Sequence, residues 1–582
     1  MPPSWFSFSC NPRSRLLHLI CLFCSLSAQT VQAQVYNSVI DVQHYGFSLL
    51  LNDDNNSIRG EAAITLRFLK DTSCFSLDLV KKNNTGKGML VSSVTEKGHA
   101  LRFLQDSQSL KIYTGSRTSS RSASGPSSAT SSGTTTSSRS ATTPSSRSSA
   151  PPSSTTSSDG APLHTYTIVY HGIPADGLII STNKFGHRTF FGDNWPNRAH
   201  NWLPCVDHPS DKATVDFRVT APDHYEVVAN GLKEKDSLLP GHYRFTHWKE
   251  SVPLATKVMV IGVAAFAVDH PADVQGIPVY SYVFPENKEK GFHDYAVATR
   301  ILPYYIQQIG PYAYEKLADI QSKTIFGGME NASAIFYFEN SVGDKGIEPL
   351  MAHEIAHQWF GDAVTETAWQ HIWLSEGFAS YMTYLYMEHQ YGADTLQKGM
   401  AKDRRQVIAF EKKRKTPVVD TTVTGNYMQL LNANSYQKGS WVLHMLRRRL
   451  GDSLFWKGIA SYYAIYKNGN ANTAGFEKCM EAAGGQNLSS FFREWLYGSG
   501  HPSLRITWNY DADKKLLDLD IEQRQDDLFG FPLEYSIDGV LYTADIAEKN
   551  TRIQVPLTTA LISFLPDPNI NLLADFEVSH PL

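Results

Sequence analysis

Two histidines four residues apart, His353 and His357, constrain this chain more than any other feature, because Glu354 lies between them and Glu376 follows after eighteen intervening residues. On a helix, residues i and i+4 share one face, so both imidazoles can turn a ring nitrogen toward a single ion. Glu354 projects beside them, where a carboxylate can take a proton from water at the metal. Histidine and carboxylate donors suit Zn²⁺, and a catalytic zinc keeps three protein ligands and an open position. Alone, the two histidines describe an ordinary amphipathic helix with satisfied side chains equally well. Glu376 shifts that balance. It opens the next helical pattern, and an antiparallel helix pair would return its carboxylate to the same ion; a solvated first-turn glutamate is the plain alternative.

The rest of the chain falls into compositional blocks. Residues 1–33 carry Arg13 and Arg15, a mostly apolar run from Leu16 to Ala28, and small side chains before Ala33, the pattern of a secretory signal peptide too short to span a bilayer. A periplasmic or extracellular protein is expected, with no membrane span after signal removal. Residues 34–268 read as an all-β domain of short alternating strands. Residues 116–160 interrupt it with Ser, Thr, Ala, Pro, Gly and Arg and no large apolar side chain. Such a stretch buries too little surface to offset its ordering entropy, so it is expected to be a disordered extension of a hairpin loop. From 269 to 500 apolar residues recur at helical steps, and from 501 to 582 the pattern returns to strands, a small β-sandwich.

Composition excludes some partners. A formal net charge of -4 over 582 residues offers no electrostatic case for nucleic acid. Cys74, Cys205 and Cys479 are the only cysteines after residue 33, so at most one disulfide could form.

The motifs resemble those of a known family. His-Glu-x-x-His, eighteen residues and Glu is the ligand pattern of gluzincin metallopeptidases. "GGMEN" at Gly327 to Asn331 is similar to the exopeptidase motif of the aminopeptidase N family, which also contains leukotriene hydrolase. "LPCVDHPSDKATVDF" from Leu203 and "NSYQKGSWVLHML" from Asn434 resemble the family's β-domain signature and catalytic-tyrosine segment. The motifs run in the family's order and cover essentially the whole chain apart from the export signal and the Ser/Thr-rich segment.

The resemblance implies one Zn²⁺ per chain held by His353, His357 and Glu376, with Glu354 as general base and Tyr436 as the donor that stabilises a developing oxyanion. It also implies that Glu330 pairs with a peptide's free α-ammonium, and that Gly327, Gly328 and Met329 form an extended backbone edge beside the substrate, with Asn331 completing the motif. A Gly-Gly turn followed by a solvated glutamate is the bland alternative. Departures from the family pattern are informative. Where the family places a glutamine near the substrate amine, ungapped alignment gives Trp195, with Asp193 two residues earlier. An altered amine site and an aromatic wall in the first side-chain pocket are expected. Ser375 stands where an Asn precedes the third ligand, and Asp362 where an Asn follows "WFG". The family's large C-terminal helical domain is expected to be missing.

The resulting expectation is a multidomain α+β protein: an N-terminal β domain, a thermolysin-like α/β catalytic domain and a C-terminal β-sandwich. Its activity would be zinc-dependent removal of N-terminal residues from peptides. A thermolysin-like endopeptidase, an epoxide hydrolase and a non-catalytic peptide-binding protein on the same scaffold are the alternatives.

Overall fold

The alternation of the N-terminal part becomes strands in the computed structural model, which describes residues 38–115, 162–558, 561 and 563–579. The expected export signal and the Ser/Thr-rich segment 116–160 lie outside these residues. Strand Ile58–Phe68 illustrates the pattern: Ile58, Gly60, Ala62, Ile64 and Leu66 are buried, and the residues between them are exposed or half-buried. It lies inside an eight-stranded sheet whose only parallel pair joins Ile40–Leu50 to Lys212–Pro222. A four-stranded antiparallel sheet follows, and its strand Arg188–Gly192 leads into the turn carrying Asp193 and Trp195.

The strands flanking segment 116–160 do not form the expected hairpin. Ser109–Tyr113 pairs with Cys74–Asp78 and Phe103–Gln105 in a small sheet. His164–Ile173 instead pairs with Ile58–Phe68 and Gly88–Glu96 in the large one. The segment joins two sheets. Locally the sequence pattern could not reveal this, because either arrangement needs only two alternating strands.

The region from 269 onward, which reads as helical, begins instead with a five-stranded mixed sheet. Its order is Ala267–Val274, Ile277–Val283, Leu317–Ser322, Ala334–Phe338 and Gly328–Met329. Leu317–Ser322 is buried at every position, so alternation vanishes and its period gives no strand signal. Gly328–Met329 is the outer strand, paired on one side only, with Gly328 opposite Tyr337 and Met329 opposite Phe336.

The helices α1 (Lys288–Tyr295), α2 (Ala298–Gln308) and α3 (Ile347–His357) pack on this sheet, α4 (Trp373–Tyr391) packs on α3, and α5 (Ala393–Glu411) and α6 (Gly439–Leu450) pack on α4. Helices α3 and α4 are antiparallel: Glu348 in the first turn of α3 accepts a hydrogen bond from Tyr386 near the end of α4 (2.8 Å), and His357 at the end of α3 meets Glu376 in the first turn of α4. Two glycines let α4 and α6 approach closely. A Cβ on Gly377 would lie 2.9 Å from the Gly439 backbone.

The C-terminal residues form two further sheets, ordered Asn550–Pro556, Leu516–Gln523, Ser503–Asp511, Asp575–Ser579 and Val540–Ile546, Phe531–Ile537, Phe564–Pro566. Leu517, Leu519, Tyr535, Ile537 and Val555 form a core cluster drawn from both. The molecule thus combines a β-rich N-terminal region with a mixed α/β body. Cys74, Cys205 and Cys479 are all free thiols. Among the described residues no helix is long and apolar enough to cross a membrane.

Candidate metal centre

Helix periodicity at the end of α3 brings His353 and His357 to one face, with their Nε2 atoms 3.1 Å apart. Glu376 Oε2 lies 3.5 Å from the first and 3.3 Å from the second. Three donors each about 2.0–2.1 Å from a tetrahedral ion would be separated by about 3.3–3.4 Å. The observed triangle has that size, so these residues fit Zn²⁺. Behind His357, Nδ1 lies 3.1 Å from the Phe360 carbonyl oxygen, an acceptor that requires an N–H, which leaves Nε2 free to face an ion. Ser375 Oγ is 3.0 Å from the same Nδ1, giving this departure from the family pattern a place in the ring's support. Gly361 makes room for it: a Cβ there would lie 2.3 Å from Ser375 Oγ.

The electrostatics favour a cation. Burial opposes charge on His357, but Glu376 and Glu330 outweigh it and hold its imidazole up to about 10. Burial also opposes ionisation of Glu376, yet His357 and His353 keep that carboxyl well below its ordinary range. Burial lowers the proton affinity of His353. A bound metal supplies between these acids the positive charge that a proton otherwise brings.

Glu354 stands next to the ligands, buried, its carboxyl pushed well up by desolvation against the opposing effect of His357. Its carboxylate presses against the outer strand: a Cβ on Gly328 would lie 2.1 Å from Glu354 Oε1. The glycine is thus required by the acid behind it. Glu330 is 5% exposed, and its Oε1 has no hydrogen-bond partner among the described residues. Glu330, Glu354 and His357 together form a second group of potential ligand atoms, all within 4.8 Å of one another. The Tyr436 ring lies parallel to that of His353, with centroids 6.1 Å apart, in a π-helical turn, Asn434–Lys438, just before α6. Burial and then Glu376 raise its phenol well above the ordinary range.

A cavity of about 50 Å³ joins these groups, walled by Trp195, Phe326, Met329 and Leu431 as well as the histidines, acids and Tyr436. The indole N–H of Trp195 is buried and unpartnered among the described residues, and the ring packs edge-on against Phe326 and Trp369. Asp193 is elsewhere. It is fully buried, ion-paired with Arg198, and accepts a bond from the Ile325 N–H at 3.3 Å. Arg198 also donates to the Trp195 carbonyl at 2.7 Å, so Asp193 fixes the turn that presents the indole and is not itself a wall of the cavity. Gly327 and Asn331 do not line it either: the Gly327 carbonyl accepts from Phe338 N–H, and Asn331 is wholly buried.

Gln358, which sequence reasoning passed over, joins these parts. Its Nε2 donates to the Glu330 carbonyl (2.7 Å) and to Asp362 Oδ2 (2.9 Å), and its Oε1 accepts from the Ser333 N–H (2.8 Å). One buried carboxamide thereby ties the Glu330 segment to the end of α3. Asp362 is its partner. The only available signal was a polar residue directly after His357 at a helix end.

Two family models match in this order: the peptidase M1 N-terminal domain over residues 181–258 and the peptidase family M1 domain over 294–495, the span that holds all three candidate ligands. The chain carries both domains of peptidase family M1. This M1 chain is 26% identical over 343 residues to glutamyl aminopeptidase of Mus musculus, covering 56% of the chain and 36% of that protein. It is 28% identical over 331 residues to a probable aminopeptidase 2 of Sulfurisphaera tokodaii, covering 53% and 41%. The match to human glutamyl aminopeptidase is 26% over 343 residues. The M1 chain thus matches about two fifths or less of the length of these relatives.

Proposed function

We propose that this protein is an exported, zinc-dependent aminopeptidase, periplasmic or extracellular, that removes single residues from the free N-terminus of peptides. The observation that carries the reading is the company Glu330 keeps. A buried carboxylate with an unpartnered oxygen shares one small cavity with three converging ligand atoms and a separate acid, Glu354.

His353, His357 and Glu376 would hold one Zn²⁺. When bound, the ion supplies a Lewis acid that polarises the scissile carbonyl and makes water more acidic. Glu354 takes a proton from the attacking water on its carboxylate and returns it to the departing amine nitrogen. The Tyr436 hydroxyl donates a hydrogen bond to the carbonyl oxygen as negative charge builds on it. Glu330 accepts hydrogen bonds from the substrate α-ammonium, which registers the first peptide bond, and no later one, beside Glu354. The free edge of Gly328–Met329 offers backbone groups for the substrate chain to pair with.

The cavity walls bear on the first residue. Trp195, Phe326, Met329 and Leu431 are apolar, the acids are Glu330, Glu354 and Glu376, and no lysine or arginine lines the space. A small or apolar first side chain fits these walls, and an acidic one meets like charge. The preference named in the glutamyl relatives is therefore not carried over.

Glu354→Gln separates the roles of metal and base. The variant should bind one zinc per chain while kcat falls by roughly 10²–10⁴, whereas Glu376→Ala should lose metal. Near-normal turnover in Glu354→Gln, measured beside its zinc content, would contradict the mechanism.

A further inference from the structure

A much larger cavity, about 570 Å³, lies away from the candidate metal centre, in the size range of small-molecule sites. It opens at the far end of α4, where Glu388 lines it. Glu388 lies twelve positions beyond Glu376, which corresponds to about 18 Å along the helix. One wall comes from α5 and α6, and the other from the C-terminal sheets and the loop Asn569 to Leu572.

Two carboxylates and two guanidiniums face the space, and they are engaged differently. Glu388 is paired with Arg447 (3.1 Å), and Glu534 accepts from Asn569 (2.6 Å). Arg448 and Arg449 also line the space, and neither has a carboxylate partner among the salt bridges of the described residues. Among the described residues, Arg449 meets Gln486 at 3.5 Å and the Phe491 ring at 5.9 Å. His444 adds no charge, since burial and then Arg448 hold it down to about 3. The remaining surface is apolar and adaptable, with Leu396, Met400, Met445, Phe531 and Leu572.

The wall is built in advance. Ile570, a β-branched residue that lines the cavity, is held at φ +58°. Its carbonyl accepts from His444 Nε2 at 3.1 Å. Asp567, ion-paired with Arg404, accepts from the Asn571 and Leu572 N–H groups at 2.7 and 3.4 Å. A conformation that costs free energy is thus maintained by several independent anchors, as at ligand sites.

We propose that this cavity is a second ligand site, taking a carboxylate carried on an apolar body, with the anion held by Arg448 and Arg449. An acid of this kind can arrive free or as the C-terminal residue of a peptide. Calorimetric titration of the full chain with 4-phenylbutyrate, its uncharged amide, and N-acetyl-Ala-Leu-Phe as acid and as amide separates these sources. Both acids should bind saturably, the tighter one identifying the source, and each amide about ten- to a hundredfold more weakly. Arg448→Gln combined with Arg449→Gln should weaken the acids by a similar factor, and Arg448→Lys should retain most of the affinity. Glu376→Ala should leave binding unchanged. Absence of saturable binding, equal binding of acid and amide, undiminished binding in the double variant, or loss in Glu376→Ala would each overturn the proposal.

Discussion

A buried carboxylate oxygen without a hydrogen-bond partner is costly unless something arrives to meet it, and among the described residues Glu330 Oε1 is such an atom. Losing a charge-assisted contact to a substrate ammonium should reduce kcat/KM by about 2–4 kcal/mol, roughly thirty- to a thousandfold. Glu330→Ala should therefore slow cleavage of free peptides selectively, which paired assays on free and blocked peptides would detect. Away from the site, Asp403 tests the same physics through folding. Burial, opposed by a hydrogen bond from Tyr384, raises its carboxyl to about 7. In the unfolded chain it titrates near 3.9. A raised folded value contributes stability that is complete below about 4 and lost as pH rises through about 7. Asp403→Asn should thus raise Tm relative to wild type at pH 8 and much less at pH 5, as thermal melts at the two values would reveal. At this scale the sequence conveyed much. The two histidines and Glu376 follow from helix geometry, whereas Tyr436 is one tyrosine among 28 and needed the family resemblance. The pairing of Asp193 with Arg198 was not legible, because nothing in a sequence marks the two as partners.

Elements place those residues, and Gln358 and Gly328 do so most directly. Gln358→Ala would strand the Glu330 carbonyl, Asp362 and the Ser333 N–H in a buried setting. The expected cost is about 2–4 kcal/mol, with a lower Tm and a raised KM, because the Glu330 segment loses its tie to α3. Stability curves and peptide kinetics on the purified variant would check both. Gly328→Ala would drive a methyl group into Glu354 Oε1, so turnover should fall even though alanine is otherwise a modest change. The helices were legible because apolar residues recur along one face. The buried strands Leu317–Ser322 and Ala334–Phe338 were not, since burial on both faces erases alternation.

Across the whole molecule, the Ser/Thr-rich segment 116–160 connects strands of two different sheets, each paired without it. Replacing it with a short Gly/Ser linker should leave Tm and kcat/KM unchanged; a large loss in either, by melting and peptide assays, would assign it a structural or gating part. The order of β-rich, helical and β-rich regions was readable from period and composition, whereas the sheet that opens the middle region was not. The partnership between distant sheets was not, because it depends on contacts far apart in sequence. The central claim joins all three scales: a metal-binding helix pair, a non-ligand base, and a carboxylate that registers the amino end. It is tested most directly by kcat/KM of the wild-type protein for one peptide with its N-terminus free and acetylated. The account predicts efficient cleavage of the first bond of the free peptide and almost none of the acetylated one. Comparable cleavage of both, or cleavage at internal bonds, would contradict it.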